Sequence, residues 1–278
     1  MIKLFFKRVL IPTIVVAPLL YFFPKFTLFY ALCGIYDVGR NRPLTGTVLQ
    51  RYFLGNGMLT WLLSPFNILM DLLSIPHINR GVYRLEDLPA ANQAEIKRVI
   101  DFAMRNDLVS QMEALSQQFP RTMVFFKWYG RNCETPLDIP EFHEHWTYIQ
   151  TIGVSVFNKK VSTSKHFGFL RATIRVLYNL NDVTDRGAYV AVGSKTNTWC
   201  DSKLFIFDDT LMHQSFNETN QTRYCLFVDI IRPAPFPRLM AAIVRFIGII
   251  ARSFSHVFYK NWTVLESRRA HSGSRRAA

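Results

Sequence analysis

Between residues 122 and 233 the chain repeats one pattern, in which short runs rich in Val, Ile, Phe and Tyr are separated by turn residues. β-Branched and aromatic residues favour strands, and several short strands at this spacing are typical of a β-sandwich or barrel. No glycine-rich phosphate loop opens a helix, which disfavours a nucleotide-binding fold. We therefore predict a mainly β fold. The runs lie at 122–130, 147–157, 171–180, 187–193, 203–208 and 223–233.

Two apolar stretches precede the β-rich region, at residues 9–24 and 52–75. The first is shorter than the ~20 residues that span a bilayer. Two membrane interpretations stay open: both stretches span as a hairpin, or the first spans or dips in while the second lies at the interface. A pair of buried core helices is the remaining alternative. We assign residues 1–80 to a membrane-anchoring region.

The C-terminal part of the chain has the pattern of an amphipathic helix. Its basic residues recur at intervals of seven or eight, which places them on one stripe of a helix with Ile, Val and Phe opposite. Such a helix either lies on an anionic membrane surface or packs on the domain. We assign residues 237–278 to this helix and a disordered basic tail. The basic residues are Arg238, Arg245, Arg252 and Lys260.

The remaining residues, 81–236, are assigned to one globular domain. Its first part, 85–118, is predicted to be helical, because Ile96, Val99 and Ala103 fall on one helical face. Helices are thus expected to flank the β-rich region.

Charge and cysteine content narrow the possible partners. The net charge is +13, which fits nucleic acid, an anionic membrane or an anionic ligand. No zinc-finger, RRM or homeodomain signature occurs, and the apolar ends favour a membrane, so we predict no nucleic-acid partner.

The four cysteines are irregularly spaced. Reduced thiols are therefore a better interpretation than a disulfide framework, and they favour a catalytic domain that faces the cytoplasm.

Two His–Arg pairs form the candidate chemical site. Arg175 follows His166 by nine residues, and Arg223 follows His213 by ten, each in a strand-like run. Two imidazoles with open positions suit iron(II), and arginine forks suit a dicarboxylate. Structural histidines and surface arginines are the alternative that these four residues alone leave open.

The stretch 161–233 resembles the aspartyl/asparaginyl β-hydroxylase family of 2-oxoglutarate dioxygenases. The motifs that carry the resemblance are H-F-G at 166–168, N-T-W at 197–199, K-L-F-I-F-D-D-T-L-M-H-Q-S-F-N at 203–217 and R-Y-C-L-F-V-D-I-I-R-P at 223–233. The resemblance implies a double-stranded β-helix, or jelly roll, that uses iron(II), 2-oxoglutarate and dioxygen.

The resemblance also implies roles for individual residues. His166 and His213 would bind the metal. Arg223 would pair with the distal carboxylate of 2-oxoglutarate, and Arg175 would support the cosubstrate at its other end. Ser155, on a preceding strand, is expected to help hold it.

Two departures from the wider dioxygenase pattern bear on these roles. Most relatives on this fold have a carboxylate ligand two residues after the first histidine, where this chain has Gly168, as the β-hydroxylase family also does. Asp209 would then orient a metal-bound water from outside the ligand set, while Asp208 is expected to be a solvated turn residue. Leu177 stands where the family often has a histidine, which leaves the near end of the cosubstrate without that partner.

A second histidine pair, His143 and His145, is assigned a structural role or a place at the substrate mouth. No carboxylate or cysteine is spaced to complete a metal site around it.

Membrane-associated ends point to the branch of the family that 2-hydroxylates an acyl chain of lipid A, in the bacterial inner membrane with the catalytic domain facing the cytoplasm. Hydroxylation of an ornithine lipid, or of an Asp or Asn side chain in a peptide, is the alternative. A non-catalytic membrane-bound binding protein is a second alternative. A zinc hydrolase is disfavoured, because no third ligand is apparent near either histidine.

Overall fold

The computed structural model describes residues 11–77, 80–253 and 262–266. All six predicted runs form strands, so the prediction of a mainly β fold is confirmed. Five further strands of the described ranges were not predicted: β1, β3, β7, β9 and the C-terminal β11. The strands are β1 (Val82–Tyr83), β2 (Arg121–Trp128), β3 (Arg131–Asn132), β4 (Ile149–Phe157), β5 (Thr173–Asn179), β6 (Ala188–Val192), β7 (Lys195–Thr198), β8 (Leu204–Phe207), β9 (His213–Asn217), β10 (Arg223–Ile231) and β11 (Thr263–Leu265).

The strands form two sheets. The larger has the order β1-β8-β5-β10-β4-β2-β11, with β3 paired to β2, and the smaller has the order β7-β6-β9. Pairing is antiparallel throughout, except that β11 runs parallel to β2. A buried apolar cluster joins the sheets face to face, since Leu177 and Cys225 of the larger sheet pack with Val190 and Val192 of the smaller.

The outer face of the larger sheet is covered by α6 (Ala90–Arg105) and α7 (Leu108–Ser116), preceded by a 3₁₀ turn at Leu85–Asp87. Side chains alternate across a strand, so Val124 of β2 joins the core beneath these helices while Met123 faces the other way. The helical prediction for residues 85–118 is confirmed.

The apolar N-terminal stretches form a series of short helices rather than two long ones. These are α1 (Ile11–Phe22), α2 (Pro24–Gly39), α3 (Gly46–Leu54), α4 (Met58–Leu62) and α5 (Ser64–Leu73). Proline begins α2 and occupies the first turn of α5, where its missing N–H is not needed. Within the described ranges, no helix combines the length and the apolar character needed for a bilayer crossing.

A buried ionic network joins α2 and α5 to the β-sheets. Arg171 pairs with Asp37 of α2 and, at 2.8 Å, with Asp71 of α5, while Arg40 reaches Asp208 at 2.6 Å. The prediction that Asp208 is a solvated turn residue is therefore wrong: its carboxylate is fully buried among guanidinium groups. All three of these pairs join residues that are 100 or more positions apart in sequence, which is why a local pattern could not show the pairing.

The predicted C-terminal helix is present as α8 (Pro237–Arg252). It packs on the domain through Met240, Val244 and Gly248, yet its outer face exposes large apolar side chains beside the arginine stripe. β11 then pairs with the edge of β2. Lys260 and the basic tail predicted at the C-terminus lie outside the described residues. The exposed apolar residues are Leu239, Phe246, Ile249 and Ile250.

Candidate active site

His166 and His213 meet through a backbone bridge between the loop before β5 and the start of β9. His166 N donates to His213 O at 3.0 Å, and His213 N donates to His166 O at 2.9 Å. Directly opposed residues on antiparallel segments bring their side chains together, and the two imidazole centroids lie 4.1 Å apart. The two histidines predicted as metal ligands therefore lie side by side in the structure.

Both imidazoles are held in the same tautomer. Nδ1 of His166 lies 2.8 Å from the Ser164 carbonyl oxygen, and Nδ1 of His213 lies 2.9 Å from that of Leu211. A carbonyl only accepts, so each Nδ1 carries the proton and each Nε2 keeps its lone pair. Burial lowers the pKa of His166 to about 4 and that of His213 well below its usual value. Two neutral imidazoles with free Nε2 atoms are the form that binds a metal.

The loop that carries His166 is held by the N-terminal helices. Thr60 of α4 donates to Gly168 O at 2.8 Å, and the Asn67 amide of α5 donates to Phe169 O at 3.1 Å. Tyr52 of α3 packs edge-on against Phe167, with ring centroids 5.6 Å apart. Residues assigned to a separate anchoring region therefore position the loop that contains the first histidine.

Asp209 lies beside the histidine loop and fills the space that a side chain at position 168 would need. Its Oδ2 is 2.9 Å from Nη2 of Arg175, and its Oδ1 has no hydrogen-bond partner among the described residues. Burial raises the pKa of Asp209 to about 7, against the lowering effect of Arg175. The carboxylate is thus placed to accept from a group bound near the histidines.

Arg223 is the second cation of the site, and it is fully buried. Its guanidinium carbon lies 4.1 Å from the centre of the Phe157 ring and 5.3 Å from that of Trp199. Among the described residues, its Nε and Nη1 have no hydrogen-bond partner. A buried unpaired guanidinium is costly, and an anionic ligand removes that cost.

Arg175 is placed differently, because two carboxylates already hold it. It pairs with Asp209 and, through Nε at 3.0 Å, with Asp229 on the neighbouring strand β10. Its guanidinium carbon also lies 4.1 Å from the centre of the Phe227 ring. Arg175 thus fixes the position of Asp209 beside the histidine loop. A cosubstrate that binds Arg175, as predicted, would share its guanidinium with the carboxylates of Asp209 and Asp229.

One cavity is lined by both histidines and both arginines. Ser155 and Leu177 also line it, so the serine predicted from the sequence is in place, with its hydroxyl 3.4 Å from Cys225 O. His143 and His145 are not among the lining residues. Sequence reasoning assigned no role to four apolar lining residues, Met123, Phe157, Phe227 and Trp262, of which only Phe227 lies within a quoted motif.

A model of the family described as aspartyl/asparaginyl beta-hydroxylase matches residues 94–233, half of the chain. The chain belongs to this family. The matched residues contain both histidines and both arginines of the cavity, together with Asp209. The β-hydroxylase domain thus accounts for every site residue predicted from the sequence, whereas the N-terminal helices, α8 and β11 lie outside it.

A curated relative of this chain is the ornithine lipid ester-linked acyl 2-hydroxylase of Rhizobium tropici, 25% identical over 164 residues. The match covers 55% of this chain and 57% of that protein, so the chain spans little more than half of the relative.

Solved structures with some likeness to the chain include a predicted oxalate decarboxylase from Thermotoga maritima, at 14% identity and a TM-score of 0.27, covering 35% of this chain and 76% of that one. The cupin domain of Schizosaccharomyces pombe Cnp3 covers 32% and 56%, at 11% identity and a TM-score of 0.26. These scores are too low to support any inference about this chain.

The donor set of the cavity fits iron and a dicarboxylate. In the described part of the chain, no group of three His, Cys, Asp or Glu side chains converges on one point. Two imidazoles alone leave coordination positions open for a chelating cosubstrate and dioxygen, as non-haem iron needs. The unpartnered guanidinium of Arg223 supplies a carboxylate site in the same cavity.

Proposed function

We propose that this chain is an iron(II)- and 2-oxoglutarate-dependent dioxygenase that hydroxylates carbon 2 of an acyl chain in a membrane lipid. One observation carries the proposal: two neutral imidazoles with free Nε2 atoms share a cavity with a buried guanidinium that has unpartnered N–H groups. We infer that the strands around this cavity form the jelly roll that the family resemblance implies.

The protein residues would act by binding and orienting. His166 and His213 hold iron(II) through Nε2, and Arg223 binds the distal carboxylate of 2-oxoglutarate by a charge-assisted fork. Bound iron supplies the oxidative chemistry with dioxygen and the cosubstrate. Asp209, fixed by Arg175, holds a water near the metal, and the Ser155 hydroxyl lies where it can bind the cosubstrate.

Two observations support a lipid as the substrate. The Rhizobium tropici relative is named for hydroxylating the ester-linked acyl chain of an ornithine lipid, and the chain exposes apolar faces on α1, α2 and α8. Lipid A and ornithine lipid both present an acyl chain with a carbonyl beside carbon 2. Lipid A is our first candidate from the sequence, and the relative's name favours ornithine lipid as the second.

Membrane association is part of the same proposal. Tyr21 and Phe22 of α1 and Phe26 of α2 are 80%, 68% and 58% exposed, and water-exposed aromatic clusters of this size mark interaction surfaces. The arginine stripe of α8 lies beside the exposed apolar residues of that helix. Together with the exposed aromatic residues of α1 and α2, it favours binding to an anionic bilayer. We place the protein on the cytoplasmic side of the bacterial inner membrane.

Purified protein should bind iron(II), and should form succinate from 2-oxoglutarate only when iron and dioxygen are present. His213→Ala should abolish metal binding and turnover, whereas His145→Ala, an exposed histidine outside the cavity, should change neither. Wild-type protein that binds metal but never converts 2-oxoglutarate would indicate the non-catalytic binding protein instead.

The substrate is tested with lipids and peptides in parallel. Incubation with purified lipid A, ornithine lipid and an Asp/Asn-containing peptide, followed by mass spectrometry, should show one added oxygen on an acyl chain. Fragmentation of the product should then show the added oxygen on carbon 2. Comparison of the lipid A and ornithine lipid reactions shows which of the two lipids is hydroxylated. Oxygen added only to the peptide would overturn the lipid proposal while leaving the dioxygenase proposal standing.

A further inference from the structure

The C-terminal extension contributes to the cavity that holds the histidines. Trp262 stands just before β11, and it lines that cavity although it lies outside the family-matched residues 94–233. Parallel pairing of Thr263 with Thr122 on β2 fixes its place. Its ring centre lies 5.1 Å from that of Phe157 in an edge-on contact. A residue from an added segment therefore forms one wall of the site.

Trp262 packs against an apolar cluster that also includes Met123, Phe227 and Ala251, the last near the end of α8. Met123 and Phe227 line the cavity as well. The neighbours of Ala251 on the outer face of α8, Ile249 and Ile250, are each 51% exposed. The cluster that lines the cavity thus reaches the helix that we propose touches the membrane.

Two cations border this wall: the guanidinium carbon of Arg175 lies 4.1 Å from the Phe227 ring centre, and that of Arg121 lies 5.3 Å from the Trp262 ring centre. Arg175 is held by Asp209 and Asp229, and Arg223 contacts Phe157 and Trp199. The side chains of Met123, Phe227 and Trp262 themselves form an apolar part of the cavity lining. A surface of this composition stabilises an alkyl chain by excluding water from it.

We propose that Met123, Phe227 and Trp262 form the subsite for the acyl chain of the substrate, with Trp262 as the specificity-determining contact. The inference rests on the proposed function and deepens it, because it assigns residues to the lipid chain. Its occupant is a saturated alkyl chain that extends past Trp262 toward the histidines.

Fluorescence quenching by dibromostearate, a brominated fatty acid, tests the contact without any turnover. Bromine quenches only nearby indoles, so we expect the quenched fraction to fall roughly twofold in Trp262→Phe, since that variant lacks the indole that touches the chain. Trp146→Phe is the matched control, because Trp146 is buried in the outer core beneath the helices. Equal quenching in wild type and Trp262→Phe would overturn the subsite.

Product analysis tests specificity. With lipids of graded chain length, Trp262→Ala should shift the preferred length and lower the hydroxylated lipid formed per succinate by about tenfold, the loss expected for one large apolar contact. Trp262→Phe should recover most of that coupling. A Trp262→Ala enzyme with the wild-type length profile and coupling would overturn the inference.

The two hypotheses can fail separately. Lipid hydroxylation that is indifferent to every substitution at Trp262 removes the subsite and keeps the proposed function. Trp262-dependent quenching by dibromostearate in a protein that hydroxylates no lipid keeps the subsite and removes the proposed function. Thermal unfolding of each variant, with Trp262→Phe as the milder change, shows whether loss of folding explains either result.

Discussion

Gly168 and the carboxylate of Asp209 share one space: a Cβ at position 168 would overlap that carboxylate, and Gly168 N donates to Asp209 O at 2.7 Å. The space of a side chain at 168 is therefore occupied by an acid from the turn before β9. We infer that glycine at 168 is what allows Asp209 to stand beside the loop that carries His166.

Gly168→Ala should displace Asp209 and weaken metal binding by roughly 10- to 100-fold, the usual effect of disturbing an outer-shell partner. Overpacking should also lower the free energy of unfolding by about 1–3 kcal/mol. Metal titration and urea unfolding measure the two effects. Gly39→Ala is the control, because a Cβ there meets nothing within 4 Å. Unchanged metal affinity in Gly168→Ala would show that Asp209 does not depend on the glycine.

Removal of the Arg223 guanidinium should weaken 2-oxoglutarate binding by roughly 100-fold, since truncating one partner of a buried charge pair costs about 2–5 kcal/mol. Arg223→Lys should recover only part of the loss, because an ammonium lacks the planar fork. Calorimetric titration of the metal-loaded protein measures the affinity. Arg186→Ala removes a 74%-exposed surface cation and should leave the affinity for 2-oxoglutarate unchanged. Equal losses of affinity in the Arg186 and Arg223 variants would refute the assignment of Arg223 to the cosubstrate.

The sequence predicted the histidine and arginine positions because they lie in short motifs on regular strands. His166 and His213 become neighbours through one backbone bridge, and Arg175 and Arg223 lie on the adjacent strands β5 and β10. Alternation along those strands aims each side chain into the same cavity. The spacing alone left structural roles open for these four residues, and the motifs shared with the family decided in favour of a site.

Other features could not be predicted from local patterns. Asp208 looked solvated because its partner Arg40 lies 168 residues away, and neither residue signals the other in sequence. The N-terminal helices were interpreted only as a membrane anchor because of their apolar content. That content gave no indication that Thr60 and Asn67 bind the histidine loop. Trp262 reaches the cavity only through the pairing of β11 with β2.

The buried network around Asp208 predicts an acid-sensitive fold. Burial raises the pKa of Asp208, but Arg40, Arg171 and Arg232 outweigh burial and hold that pKa well below its usual value. A depressed folded pKa gives stabilisation that is fully present above the unfolded pKa of about 4 and is lost as the pH falls toward the folded pKa. The free energy of unfolding should therefore decline below about pH 5.

Asp208→Asn isolates this effect. At neutral pH it should cost about 3–5 kcal/mol, because buried guanidinium groups lose their carboxylate, and its unfolding free energy should then vary less steeply with acid. Urea unfolding over a pH series measures both quantities. Asp182→Asn removes an 85%-exposed carboxylate and should behave as wild type. If Asp208→Asn keeps the full wild-type dependence of stability on acid, that dependence comes from groups other than Asp208.

The outer face of α8 should carry part of the affinity for membranes. Phe246 is 64% exposed and Ile249 51% exposed, on a helix whose opposite face is already buried against the domain, so substitution there need not disturb the fold. Each such side chain contributes about 1.5–3 kcal/mol when buried in an apolar phase. Phe246→Ser combined with Ile249→Ser should therefore reduce binding to phosphatidylglycerol vesicles by tenfold or more, measured by flotation. Met104→Ser, which changes a 47%-exposed apolar residue on α6, is the matched control, and equal binding by both variants would remove α8 from the membrane contact.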